Sequence, residues 1–187
     1  VTAPAPVRRY GGSRVADVHP DDTTARLRVG EQLLAVRTSL GLSRQAAAAR
    51  GGRSKASIQS MELRGYWTVG TLQRWARWLD HRFTWTLHLP FELEPDALAV
   101  MYAAKTIGAP ETVDAYARAG LVNDMRRARE AAGLTQKQLG QRLGVSLDTI
   151  NRAERIEDNL DLAAAQRHLR GCGGWLEPRI EPLAGVR

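Results

Sequence analysis

Apolar residues recur at helical spacing in two stretches of the chain. Leu33, Val36 and Leu40 share one face, and so do Met125, Ala128 and Ala132. Each run ends at a glycine, Gly41 or Gly133, suited to a helix C-cap. Ser43 and Thr135 follow, the residue types that cap helix N-termini, and predict short second helices over 44–50 and 136–142. Gly51-Gly52 and Gly144 mark the next turns. Ser54 and Ser146 then cap third helices that run to about Leu63 and Arg155. Gly65 closes the first of these, and Glu157-Asp158-Asn159 stand at that point in the second. Fourth helices are predicted over 69–80 and 161–171. Beyond them the period changes to two. Phe83, Trp85, Leu87 and Leu89 alternate with Thr84, Thr86 and His88, as in a strand. The counterpart, Leu176 to Glu181, alternates less regularly and holds Pro178, which suits an edge strand or a bulge.

The two sets of elements read as one pattern used twice. Sliding the chain by 92 positions aligns Arg37 with Arg129, Gly41 with Gly133, Ser54 with Ser146, Ile58 with Ile150 and Glu62 with Glu154. Farther on a slide of 93 aligns Val69 with Leu162, Phe83 with Leu176 and Leu87 with Ile180, as a one-residue loop insertion would produce. Such self-similarity indicates two copies of one supersecondary unit. Residues 1–18 read as a loose arm, 19–90 as a first unit with its strand, 91–116 as a helical connector and 117–187 as a second unit with its strand. The connector opens acidic (Glu92, Glu94, Asp96) and turns Ala-rich. Helices are expected at Asp96–Lys105 and Pro110–Ala119 with Gly108 between them, the second able to run on into the next unit.

Charge sharpens the picture. The net charge is +7, and it lies in the first half, where residues 1–90 carry 14 Lys/Arg against 6 Asp/Glu while residues 91–187 carry 13 against 14. That asymmetry points to a polyanion partner for the first half. No apolar run approaches the roughly 20 residues that cross a bilayer, and Val1–Pro6 lacks the apolar core of a secretory signal. A soluble intracellular protein is expected, cytoplasmic and nucleoid-associated. The lone Cys172 excludes an internal disulfide and a Cys-based zinc site. His19, His81, His88 and His168 share no metal-ligand spacing, and no catalytic triad, phosphate loop or carboxylate pair is visible. No metal, cofactor or catalysis is expected. Trp75, Trp78 and Leu79, with Trp67 and Trp85 nearby, read as core packing rather than a base-stacking stripe.

Two short helices across a tight glycine turn, inside a four-helix unit, make a helix-turn-helix. In the second copy, Arg129-x-x-x-Gly133-Leu134-Thr135-Gln136-x-x-Leu139-Gly140-x-x-Leu143-Gly144-Val145-Ser146-x-x-x-Ile150-x-x-x-Glu154 resembles the Xre/lambda-repressor-like (Cro-type) family of transcriptional regulators. The first copy resembles it less closely: Arg44 replaces the glutamine, and Ala47-Ala48 fill the Leu-Gly positions. The resemblance covers about residues 25–90 and 117–182. It implies a mainly α fold, two tandem helix-turn-helix units each followed by a short strand.

It also implies roles. Ile58 and Ile150 turn inward and anchor the recognition helices, which enter major grooves. Base contacts fall to Ser54, Lys55, Ala56 and Ser60 in the first copy and to Ser146, Leu147, Asp148 and Arg152 in the second. Lys55 and Arg152 suit guanine, Leu147 a thymine methyl, and Asp148 cytosine N4 or the helix's own N-terminus. Phosphate contacts fall to Arg44 and Gln136 at the start of the second helices, and to Arg53, Ser57 and Thr149. Arg37 with Glu62, and Arg129 with Glu154, are implied as partly buried ion pairs tying helix one to helix three.

The expected function is a sequence-specific regulator of transcription that binds double-stranded DNA through two recognition helices in successive major grooves, about 34 Å apart. An intramolecular pseudo-dimer is expected, in which the two terminal strands can pair. A homodimer through those strands is the other arrangement. The alternative from another class is an antitoxin-like or other protein-interaction module whose DNA binding is autoregulatory. Arg8, Arg9 and Arg14 make the arm a candidate for a minor groove.

Overall fold

The computed structural model describes residues 20–64, 68–94, 96–104, 109–156 and 160–183. The arm 1–18 and the expectations placed on Gly65, Trp67, Gly108 and residues 157–159 lie outside them. The first half runs α1 (Pro20–Ser39), α2 (Arg44–Arg50), α3 (Lys55–Arg64), α4 (Val69–Trp78) and β1 (His81–His88). After α5 (Ala97–Ala104) the same order returns as α6 (Pro110–Ala131), α7 (Gln136–Leu143), α8 (Leu147–Ala153), α9 (Leu162–Gly171) and β2 (Trp175–Pro182). The fold of the described residues is mainly helical, with one two-stranded sheet.

Local chemistry sets the helix ends. Gly41 closes α1 at φ +66°, and Leu42 N–H donates back to Arg37 C=O at 3.1 Å. Gly133 closes α6 in the same way at φ +68°, with Leu134 N–H on Arg129 C=O at 3.0 Å. Side chains with a Cβ rarely adopt this left-handed backbone, which is why glycine stands there. Ser43 caps α2, and Thr135 caps α7 in a reciprocal capping box with Gln138. Leu40 follows the last residue of α1 and is 42% exposed, although its spacing placed it on the buried face. The helix stops one residue earlier, and the closing turn swings Leu40 outward. α6 is one unbroken helix, so the boundary expected between 116 and 117 falls inside it.

β1 and β2 pair antiparallel in an uninterrupted register that sets Phe83 opposite Ile180, Trp85 opposite Pro178 and Leu87 opposite Leu176. Pro178 therefore sits in a regular edge strand without a bulge, its missing N–H needing no partner. β2 gains a neighbour on α1 instead: Gln32 Oε1 accepts from Ile180 N–H at 2.8 Å, and Gln32 Nε2 donates to Pro178 C=O at 3.3 Å. A second crossing bridges Thr68 and Asp161, with Val69 N–H on Leu160 C=O at 2.8 Å. In both crossings residues 93 apart in sequence face each other (161 − 68 and 178 − 85).

Helix packing also crosses between the halves: α1 lies on α9 and β2, and α6 lies on α4. One continuous core results, with Leu33, Ile58, Leu72 and Trp75 from the first half and Met125, Leu139, Leu162 and Leu169 from the second, all fully buried. Each such side chain contributes about 1.5–3 kcal/mol. Trp78 packs edge-on to Trp75 at 5.6 Å and lies over Gly51, where an added Cβ would strike its ring. Trp75 is fully buried and Trp78 packs half-buried against the core, in line with the core-packing reading.

Candidate nucleic-acid interface

α2–α3 and α7–α8 are paired helices joined by tight turns. Ile58 is fully buried and Ile150 is 3% exposed, so each third helix is held by its inner face. The second helix must come close. A Cβ on Gly140 would lie 3.0 Å from the Val145 carbonyl oxygen, and in the first half the small, fully buried Ala47 and Ala48 fill this layer. The outer faces are solvated. Lys55, Ala56 and Ser60 are exposed on α3, and Leu147, Asp148, Thr149 and Arg152 on α8. Arg53 is exposed in the preceding turn, whereas Ser57 is half-buried and its hydroxyl donates to Met61 Sδ at 3.7 Å. Ser54 and Ser146 are exposed N-caps whose side-chain oxygens accept from Ser57 N–H at 3.1 Å and Thr149 N–H at 3.2 Å. Capping already engages those oxygens, so any base contact from these serines uses only the remaining hydroxyl capacity.

Beneath each outer face lies one buried carboxylate. Glu62 accepts from Arg37 Nε at 2.5 Å and Nη2 at 3.4 Å, and from Arg44 Nε at 2.7 Å. Glu154 accepts from Arg129 Nε at 2.6 Å and Nη2 at 3.0 Å, and from Gln136 Nε2 at 2.8 Å. Each buried arginine also donates Nη1 to the carbonyl that follows its helix, on Leu42 at 2.6 Å and Leu134 at 2.8 Å. Helix one, the turn, helix two and helix three are thus tied at one point. Arg44 and Gln136, candidates for phosphate, are held at their inner ends by the same carboxylates. The Arg44 side chain is still 32% exposed, and its Nε bond uses one of five N–H donors. The lock orients these groups at the helix N-terminus.

The second lock differs in one respect. His168 Nε2 donates to Met125 C=O at 3.0 Å and lies 3.5 Å from Glu154 Oε1, while its buried Nδ1 has no partner among the described residues. Burial holds the His168 pKa below its usual 6.5, against the pull of Glu154. Burial also pushes the Glu154 carboxyl up, but hydrogen bonds from Arg129 and Gln136 outweigh it and leave the pKa below 4.5. Both shifts act with one sign. The unfolded chain binds a proton at His168 before the folded chain does, so stability falls as pH drops below about 6.5, and the Glu154 contribution is lost at lower pH. Melting temperature is expected to fall between pH 7.5 and 5.5, and His168→Gln is expected to flatten that fall. An equal slope in the variant would contradict the assignment to His168.

Residues 121–178 match the family described as a helix-turn-helix domain. No curated protein and no solved structure matches the chain. The matched helix-turn-helix spans the end of α6, all of α7, α8 and α9, and half of β2. α2 and α3 lie outside the match and yet carry the same buried Arg–Glu lock, with Arg44 where Gln136 stands. Among the described residues no helix is long and apolar enough to cross a membrane, and no group of three His, Cys, Asp or Glu could hold a metal ion. Cys172 is buried and its thiol is pushed up to about 11 by that burial, which leaves it unreactive. Gln32 and His168 act as anchors that the sequence pattern does not reveal. Their partners lie 148 and 43 residues away, and no local signal marks them.

Proposed function

We propose that the protein is a sequence-specific regulator of transcription of the Xre/lambda-repressor-like type, a pseudo-dimer in which one chain offers two recognition helices, α3 and α8, to successive major grooves. One observation carries the reading: the same buried lock underlies α2–α3 and α7–α8, and in both the outer face at the start of the third helix is exposed. In dimers of this type a two-fold relation sets the paired recognition helices on inverted half-sites in successive major grooves. The crossings at Thr68–Asp161 and Trp85–Pro178, each between residues 93 apart, support such a relation within a single chain. So does the reciprocal packing of α1 on α9 and α6 on α4. The strand edges that a homodimer would have joined are joined to each other here, which favours one chain per site. Different exposed side chains on the two helices, Lys55 and Ser60 against Leu147, Asp148 and Arg152, require unlike half-sites.

The test is equilibrium binding to a duplex selected from a random pool and to the same duplex scrambled, at one salt concentration. Specific readout gives at least a thousandfold preference, within the usual range for such proteins. Equal affinity for both would make the protein an architectural binder, and absence of binding would reject the reading.

A further inference from the structure

α1, α9 and β2 line an open cleft of about 450 Å³. Its buried floor is made by Ala25, Gln166, Leu176 and Pro178, and Thr24, Arg28 and Trp175 stand at its exposed rim. The volume lies in the range of small-molecule pockets. The indole of Trp175 is 44% exposed and stacks on His88 at 3.9 Å and 9°. Three arginines and one glutamate line the space. Glu177 is already held by Arg179 at 3.0 Å and by His88 at 3.0 Å. Arg170 is engaged within the chain, and Arg28 is exposed at the rim with no carboxylate partner among the residues whose side chains are described.

The equivalent corner in the other half, where α6 meets α4, indicates what fills such a space. There Tyr116 stands at the position of Thr24. Gly120 stands at the position of Arg28, and an added Cβ on it would lie 3.4 Å from Tyr102 of α5. The carboxylate of Asp114 accepts from Arg77 at 2.6 Å, and its carbonyl accepts from Gln73 Nε2 at 3.1 Å. Tyr102 and Tyr116, their rings 6.2 Å apart, close that corner, and the paired Asp114 has Asp22 as its counterpart in the first half. Around the cavity Thr24 stands in place of the tyrosine and Arg28 in place of the glycine, Ala25 matches Ala117, and the Trp175 ring stands at the rim.

We propose that this cavity binds a small organic anion with a flat apolar body, its charged group at Arg28 and its ring against Trp175 and Leu176. The walls come from both halves of the chain, α1 on one side and α9 with β2 on the other. On the DNA-binding reading, on which this last step rests, an occupant braces the two halves and tightens the grip on DNA.

The probe is anilinonaphthalene sulfonate, an aromatic anion, titrated by fluorescence into the full chain without DNA. Saturable binding of one probe per chain is expected. Thr24→Tyr, which supplies the ring found in the equivalent corner, is expected to weaken it at least tenfold. Arg28→Ala, on an exposed position that leaves the core untouched, is expected to weaken it about tenfold, and uncharged phenylnaphthylamine to bind correspondingly more weakly than the anion. Should Thr24→Tyr fail to fold, Arg28→Ala and the uncharged probe decide alone. Non-saturable binding, or an affinity indifferent to these changes, would overturn the site. Probe binding with DNA affinity unchanged would overturn the bracing step and leave the site standing. A chain that binds the probe and no DNA would reject the DNA reading alone.

Discussion

Glu154→Ala lowers the melting temperature by roughly 6–20 °C. Removing one partner of a buried ion pair costs about 3–5 kcal/mol, because the other charge is left uncompensated, and each kcal/mol moves the midpoint by about 2–4 °C in a chain of this size. The substitution strips Arg129, 7% exposed, of its bidentate acceptor and leaves Gln136 Nε2 without its bond. Glu154→Gln keeps the shape and an acceptor oxygen, and the expected loss is smaller. Glu181→Ala is the control: it removes an exposed pair with Arg82 at 3.0 Å, where side chains are 36% and 56% exposed, and such pairs contribute about 0–1 kcal/mol. A Glu154→Ala melt equal to the parent would show that the pair does not hold helix one to helix three.

On the proposed function, substitutions at the starts of α2–α3 and α7–α8 are expected to change DNA affinity in unequal ways. Arg44→Gln with Lys55→Ala removes two charges from the first half. The glutamine can still reach Glu62 as Gln136 reaches Glu154, so the lock is retained. Every phosphate that is no longer neutralised flattens the dependence of log K on log salt by about 0.9. Gln136→Ala with Arg152→Ala removes one charge, and its smaller slope change is expected to come with relaxed base preference in the other half-site. Removing one good base interaction costs about 1–3 kcal/mol, so affinity for the selected duplex is expected to drop by roughly 10- to 100-fold in either variant. A larger slope change from the second pair would reject the assignment of electrostatic affinity to the first half.

Much of the fold is legible in the sequence because its signals are local. Gly41 and Gly133 need a left-handed backbone, Ser43 and Thr135 need a free N-terminus to cap, and the alternation at Phe83–Leu87 marks a half-buried strand. The recurrence of Arg37/Glu62 as Arg129/Glu154 at one separation brings the buried groups into view without coordinates. Other features depend on partners far away in sequence. Gln32 acts as a strand neighbour for β2 only because α1 packs on the second half. Arg44 and Gln136 read as surface groups awaiting phosphate, and their bonds to Glu62 and Glu154 follow from how α2 and α7 lean over those carboxylates. The run of α6 from the connector into the second unit is legible because composition shifts there while helix propensity does not. The cavity beside Arg28 borders Thr24, where the other half has Tyr116, and the meaning of that difference emerges only beside the filled corner.

The central claim is that one chain reads two adjacent major grooves. Hydroxyl-radical footprinting of a selected duplex, with chain and duplex at equal concentration well above the dissociation constant, tests it most directly. The account predicts two protected patches of unlike sequence, centred about 10 base pairs apart, both filled by a single chain. A single patch, or a second patch that fills only when two chains are present per duplex, would contradict it.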